Sequence, residues 1–337
     1  MSLSEAASAE APTARVAAVV YNPIKVDLDA VKAAVAAGET ANGWGQTLWF
    51  ETSKEDAGQG PTKEALAAGA TMVIAAGGDG TVRAVAEAVY DSGASLALLP
   101  SGTGNLLARN LDLALDDLEG SIHTAFTGQD RQIDLALIDI KHEDQTTSRH
   151  AYVVMAGLGL DAKMLVHTDD ELKKKVGWLA YVSALLAALR DKDQLQLRYS
   201  LDGKRTRSAR VHTIIIGNCG SLPADIVLLP DAAIDDGMFQ LVYLRPEGFV
   251  GWLQITAKII WENGVLRRTE TGRRLAGPAK NVRALHYAKG RKITIRLTRA
   301  HNIELDGDSF GTAQALKTWI EPGALTVRVP SDGRAAG

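Results

Sequence analysis

Cysteine is almost absent from this chain of 337 residues, with Cys219 the only one. A single thiol excludes a disulfide framework and any cysteine-rich zinc site, and it suits a reducing cytosol. Cys219 itself follows a glycine-asparagine turn and reads as a structural thiol rather than a nucleophile. Long hydrophobic runs are missing too. The longest apolar candidate, 176–189, falls short of the roughly 18–20 residues a membrane span needs, so no integral membrane protein is expected. Aromatic residues make up 5%. No nucleic-acid-binding module is recognisable, so nucleic acid is not expected as a partner. Residues 1–14 have neither a basic start nor an apolar core, and they read as a disordered tail rather than a secretory signal. The two commonest phosphate loops are also lacking. There is no Gly-x-x-x-x-Gly-Lys-Ser/Thr, and no Gly-x-Gly-x-x-Gly follows the first strand.

What is present is ordinary for a soluble protein: 46% apolar and 23% charged residues, in a length comfortable for two domains. The net charge of -3 hides an asymmetry. Residues 1–145 hold 9 Lys/Arg and 21 Asp/Glu, and residues 146–337 hold 28 and 19. The stretch 267–299 alone carries 11 basic residues and one acid, Glu270. It suits either an anionic partner such as lipid headgroups or a plain solvated strand face.

From Arg15 onward, short β-branched runs alternate with helical spacing. Strands are expected at 16–22, 46–52, 71–78 and 95–102, and helices at about 29–37, 62–68, 82–92 and 105–110. Short links between them give the grammar of a parallel sheet with helices on its faces. After about Arg131 the grammar changes to strands, including 131–140, 150–159, 195–203, 211–218, 237–244, 292–298 and 324–330. Asp202-Gly203 looks like a hairpin turn. Two helical insertions fall at about 171–190 and 247–263. The expected class is therefore α/β plus β. A tail (1–14) precedes an α/β nucleotide-binding domain at 15–130, a β-sandwich domain follows at 131–329, and a tail closes the chain at 330–337.

The most informative segment is 72–89, where a buried strand runs into Gly77-Gly78-Asp79-Gly80-Thr81 and then a helix. Glycines let a backbone turn sharply and approach a ligand, and a helix N-terminus favours phosphate. The alternative is a tight strand-to-helix connection with no ligand. Asp79 inside such a turn repels phosphate unless a magnesium ion lies between them. A second loop, 98–110, repeats the design with Ser101, Gly102, Thr103 and Asn105. Asn22-Pro23 and Thr52 end the first two strands at the same edge of the sheet, where ligands of such sheets bind.

Five segments together, GGDGT at 77–81, PSGTGN at 100–105, AGLGLDA at 156–162, the run at 214–239 and LDGD at 305–308, resemble the diacylglycerol kinase catalytic-domain family. That family includes bacterial soluble lipid kinases and sphingosine kinases, and the resemblance covers about 15–329. It implies an active site in the cleft between the two domains. ATP would contact Asn22, Pro23, Thr52, the turn from Gly77 to Thr81, and the loop with Gly102, Thr103 and Asn105. Asp79 would act near magnesium and the phosphates. Asp308 would be the general base. A structural Mg2+ would take Asp236 and the carbonyls of Ala233 and Met238. Three departures stand out. Asp308 replaces the usual glutamate, the first loop reads Asn22-Pro23-Ile24-Lys25-Val26 instead of Asn-Pro-x-x-Gly, and Arg83 replaces an asparagine. Arg83 reads either as charge toward phosphate or as a surface residue.

Taken without the resemblance, Asp306 and Asp308 flank a glycine as a β-turn would, and Asp235-Asp236-Gly237 is open to the same reading. Three acids in six residues, with Asp231, keep a metal site in play. Asp134 is a lone acid in an apolar strand. It needs a partner, unless simple alternation exposes it. The histidines show no metal-ligand spacing. Segments 173–190 and 249–264 set basic and aromatic residues beside apolar faces, which suits helices at a membrane interface or helices packed on the sandwich. The expectation is a cytoplasmic, ATP- and Mg-dependent lipid kinase in peripheral contact with an anionic membrane, with diacylglycerol as its first candidate substrate. A homodimer is left open. The rivals are an NAD kinase-like enzyme for a soluble substrate and a nucleotide- or lipid-binding protein without turnover.

Overall fold

The computed structural model describes residues 15–159, 194–222, 226–244 and 285–331. The two helical insertions, the stretch 267–284 and residues 1–14 lie outside them.

The first strand shows how the α/β half is built. β1 (Ala17–Tyr21) is buried throughout. Ala17, Val19 and Tyr21 point into one core, and Ala18 and Val20 into cores on the opposite face. Side chains alternate along a strand, so a run apolar on both faces needs cover on both. That cover comes from α1 (Leu28–Asn42) and, on the other side, α2 (Gln59–Ala67). Asp27 caps α1 by accepting the Ala30 N–H at 3.2 Å, and Gly43 ends it at φ 64°. Asp27 and Gly43 stretch the helix beyond the expected 29–37, because capping satisfies orphan donors and a left-handed glycine stops propagation.

The half is completed by β2 (Leu48–Glu51), β3 (Met72–Gly77), α3 (Asp79–Val89), β4 (Ser95–Pro100), α4 (Leu106–Asn110) and α5 (Leu118–Thr127). The sheet order is β4-β3-β1-β2, all parallel. α5 is absent from the sequence expectation. It buries only Ile122, Ala125 and Phe126, and it contains a glycine and two threonines, so its period is faint.

The second half begins with β5 (Gln129–Lys141), β6 (Thr147–Tyr152), β7 (Met155–Leu158), β8 (Leu195–Leu201), β9 (Arg207–Val211) and β10 (Thr213–Gly217). It continues with β11 (Ser221–Leu222), β12 (Ile226–Val227), β13 (Phe239–Leu244), β14 (Leu285–Gly290), β15 (Lys292–Leu305) and β16 (Asp308–Val329). The inward residues of β5, β7, β8, β10, β13, β15 and β16 share one apolar core, which makes this half a β-sandwich. β16 joins the two halves. It pairs antiparallel with β5 and β15, and near its end Val327 lies opposite Leu96 of β4 in parallel. The last strand in the chain thus extends the sheet of the first half.

Three expected strands differ. The run 150–159 is broken at Val153-Val154, whose N–H groups turn to a carboxylate instead of a neighbouring strand. β15 and β16 run much further than 292–298 and 324–330, through bulges that interrupt the alternation. At Asp202-Gly203 both residues have positive φ, and Lys204 N–H donates to Leu201 O at 2.9 Å, as a hairpin turn requires.

Candidate active site

The carboxyl ends of β1–β4 form one rim. Asn22 leaves β1 with its N–H on Ala76 O at 2.9 Å, and its side-chain oxygen accepts the Ile24 N–H at 3.0 Å. Pro23 is exposed beside it. Thr52 leaves β2 with its N–H on Tyr21 O at 2.9 Å and is buried. Ser101 N–H donates to Gly77 O at 3.0 Å, which ties the ends of β3 and β4 together.

The two glycine loops meet backbone to backbone. A Cβ on Gly102 would stand 2.7 Å from Gly78 Cα, so only glycine permits the approach. Thr81 packs under the turn, where a Cβ on Gly77 would meet its hydroxyl at 2.6 Å. Asn105 knots the second loop. Its side chain accepts the Gly102 N–H at 3.0 Å and donates to Gly102 O at 2.8 Å, with its own φ at 48°. Thr103 is exposed at the tip. Gly78 caps α3, leaving the N–H groups of the first turn free of helical partners.

Asp79 is the clamp between the loops. Its carboxylate accepts the N–H groups of Asn105 at 3.0 Å and Leu106 at 2.6 Å. Burial raises its pKa, and those two N–H groups and the charge of Lys25 work against the rise. Lys25 itself reaches back over the first loop, and a Cβ on Gly78 would meet its Nζ at 2.5 Å. The altered first loop therefore brings a cation to the glycine turn. Sequence reasoning noted the departure and missed that outcome.

Opposite the rim stands the hairpin joining β15 to β16. Leu305 pairs with Asp308 across Asp306-Gly307, both of positive φ. The two aspartates point different ways. Asp306 is buried and accepts the N–H groups of Val153, Val154 and Met155 at 2.8, 2.9 and 2.8 Å. Burial pushes its carboxyl up to about 6, against the pull of those three bonds. Asp308 is half exposed and hangs over α3, where a Cβ on Gly80 would meet its Oδ2 at 2.5 Å. The turn reading holds for the backbone of this segment, while the two acids differ in exposure and only Asp308 faces α3. Beneath Asp308 lies Arg83, which is buried and not a surface residue.

The groups implied for a structural magnesium do not fit one as they stand. Asp236 Oδ1 accepts the Met238 N–H at 3.0 Å, and Oδ2 is paired with Lys289 Nζ at 3.0 Å, so the carboxylate already has its cation. Asp235 pairs with Arg131 at 2.8 Å, and Asp231 bonds with Gln240. Among the described residues no cluster of three metal-binding side chains occurs. The acids of the run 231–236 are thus engaged by protein partners. Asp134 does have partners, the N–H groups of Gly237 at 2.6 Å and Gly323 at 2.8 Å. Cys219 is buried with its thiol on Val153 O at 3.4 Å, and burial raises its pKa, as expected of a structural thiol.

Comparison with known proteins gives a consistent picture. Residues 17–138 match the family model described as the diacylglycerol kinase catalytic domain, and residues 153–329 match a YegS C-terminal NAD kinase beta sandwich-like domain. A Pseudomonas fluorescens protein named "Probable lipid kinase YegS-like" is 31% identical over 318 residues, 91% of this chain and 93% of that protein. A Pseudomonas aeruginosa protein of the same name is 30% identical over 306 residues, 89% and 90% of the two chains. A Bacillus subtilis diacylglycerol kinase is 24% identical over 251 residues, 74% and 75% of the two chains. In fold, the chain superposes on a crystal structure of a diacylglycerol kinase from Bacillus anthracis with TM-score 0.65 and 17% identity, covering 95% and 98% of the two chains.

Proposed function

The chain belongs to the diacylglycerol kinase catalytic-domain family, and from that premise we propose that it transfers the γ-phosphate of ATP to a lipid hydroxyl, with diacylglycerol the first candidate and phosphatidate its product. ATP enters as its magnesium complex, so this Mg2+ is part of the substrate. The phosphates rest on the turn from Gly77 to Thr81 and on Gly102 and Thr103, facing the free N–H groups that open α3. Lys25 supplies charge above Gly78. Asn22, Pro23, Thr52 and Asn105 shape the rest of the rim, and Asp79 holds the two loops in register beside the magnesium-bound phosphates.

The observation that carries this reading is the position of Asp308: a half-exposed carboxylate poised over the first turn of α3, where Gly80 leaves it room. In the reaction the lipid oxygen bonds to the γ-phosphorus while its proton passes to Asp308. The bond from phosphorus to the bridging oxygen breaks, and ADP leaves with that electron pair. Phosphoryl transfer asks mainly for positioning and charge neutralisation, which this rim can provide. The lipid acceptor brings the chain to a membrane surface. Among the described residues no helix is long and apolar enough to cross a bilayer.

The test is incubation with γ-labelled ATP, magnesium, a panel of lipids in mixed micelles, and NAD. Label in lipid alone supports the proposal. Label in NADP points to a kinase of a soluble substrate, and tight ATP binding without any product points to a binding protein. Asp308→Asn should abolish turnover and keep ATP binding; full activity in that variant removes Asp308 as the base.

A further inference from the structure

Arg83 is a buried cation, 6% exposed, and a buried guanidinium is costly unless its charge is answered. It lies one helical turn after Asp79, on the face of α3 turned to the β15–β16 hairpin. Its Nη1 is 3.4 Å from Glu87, one further turn along. Glu87 is itself fixed by the Ala151 N–H at 3.0 Å. The guanidinium lies over the Phe310 ring at 4.5 Å, and that ring is backed by His150 at 4.6 Å. The group is thus held from below and from the side. Its Nη2 stands 3.9 Å from Asp308 Oδ2. Asp308 is therefore placed between two fixed features of one helix, the open Cα of Gly80 and the head of Arg83.

We propose that Arg83 is a positioning residue for Asp308 and that the two work as a pair. The guanidinium holds a carboxylate one methylene shorter than the family's glutamate at the height where it meets the incoming hydroxyl. The two departures read separately in the sequence, Arg83 for asparagine and Asp308 for glutamate, are then one departure. Lysine would not serve, because a lysine has no planar head to lie on Phe310 while facing two acids. What Asp308 does once positioned rests on the kinase reading above; that the pair is coupled does not.

Two measurements test this. In the lipid phosphorylation assay, Arg83→Asn should lower kcat about tenfold or more with the KM for ATP nearly unchanged, since an interaction acting only in the reacting complex leaves ground-state binding alone. Arg83→Lys should not restore the rate. Arg83→Asn combined with Asp308→Glu should recover much of the loss, because the longer acid needs no tether. A wild-type kcat in Arg83→Asn, or a double variant no better than Arg83→Asn, overturns the proposal. The second measurement is a thermal double-mutant cycle on Arg83→Asn and Asp308→Asn, which needs no activity. Coupled residues give non-additive shifts, with the Asp308→Asn effect shrinking in the Arg83→Asn background. Additive shifts overturn the pairing. If the wild-type protein phosphorylates no lipid, the kinase reading fails, and the cycle alone decides the pair.

Discussion

Lys25 carries its charge to the glycine turn, where its Nζ lies 2.5 Å from the place a Cβ on Gly78 would take. The lysine lies in a loop fixed by the Asn22 side chain and by its own N–H on Asn22 O at 3.1 Å, so the stem starts from a defined point. A hydrogen bond from an ammonium to a phosphate is charge-assisted and contributes about 1.5–3 kcal/mol. Lys25→Met should therefore raise the KM for ATP by about tenfold or more, with a smaller change in kcat, in assays that vary the nucleotide at fixed lipid. An unaltered KM would mean that the phosphates lie elsewhere. The glycine turns and the acid at Asp79 were legible in residue type, whereas Asp308 was singled out only through the family resemblance. Lys25 and Arg83 were only half legible. Their neighbours, Gly78 and Asp308, are 53 and 225 positions away in the chain, and no local pattern encodes such a meeting.

The β15–β16 hairpin is the element on which the proposed base is mounted, and Asp306 latches it to the break between β6 and β7. The latch has a pH dependence whose sign follows from its environment. Burial raises the folded-state pKa of Asp306 from 3.8 to about 6, so the folded protein holds that proton more tightly than the unfolded chain does. The stabilisation this provides is complete below the unfolded value near 4 and is lost as the pH rises through about 6. A shift of this size corresponds to roughly 3 kcal/mol. Urea unfolding measured across that window should show the wild type losing stability relative to Asp306→Asn. A constant difference between the two curves would mean that Asp306 does not titrate there. Elements of the first half were readable because their periods are clean: Val19 and Val20 already announce a strand covered on both faces. The break at Val153-Val154 was not readable. The run is apolar throughout, and what bends it is a carboxylate more than 150 residues downstream.

On the scale of the whole molecule, the excess of acid in the first 145 residues and of base in the rest becomes a matter of surfaces. β15, β8 and β9 form a corner of the sandwich in which Arg296 pairs directly with Arg198, and Gln196 of β8 with Arg210. All three arginines are exposed, and none has an ion pair among the described residues. Like charges set opposite each other across a ladder destabilise it, and no ion pair among the described residues offsets this one. A solvated strand face explains the exposure of these side chains. In the proposed membrane contact an anionic bilayer would answer the charge, at about 1 kcal/mol for each cation held near the surface. Reversing Arg198, Arg210 and Arg296 to glutamate should then weaken co-sedimentation with phosphatidylserine-containing vesicles by about two orders of magnitude or more. Neutral phosphatidylcholine vesicles should not distinguish the variant, and moderate salt should erase most of the difference, because exposed charges are screened. These arginines lie outside the glycine loops and the Asp308 hairpin, so turnover of a lipid presented in neutral micelles should survive the reversal. Retained binding to anionic vesicles would move the membrane contact to another face and leave the catalytic proposal as it stands.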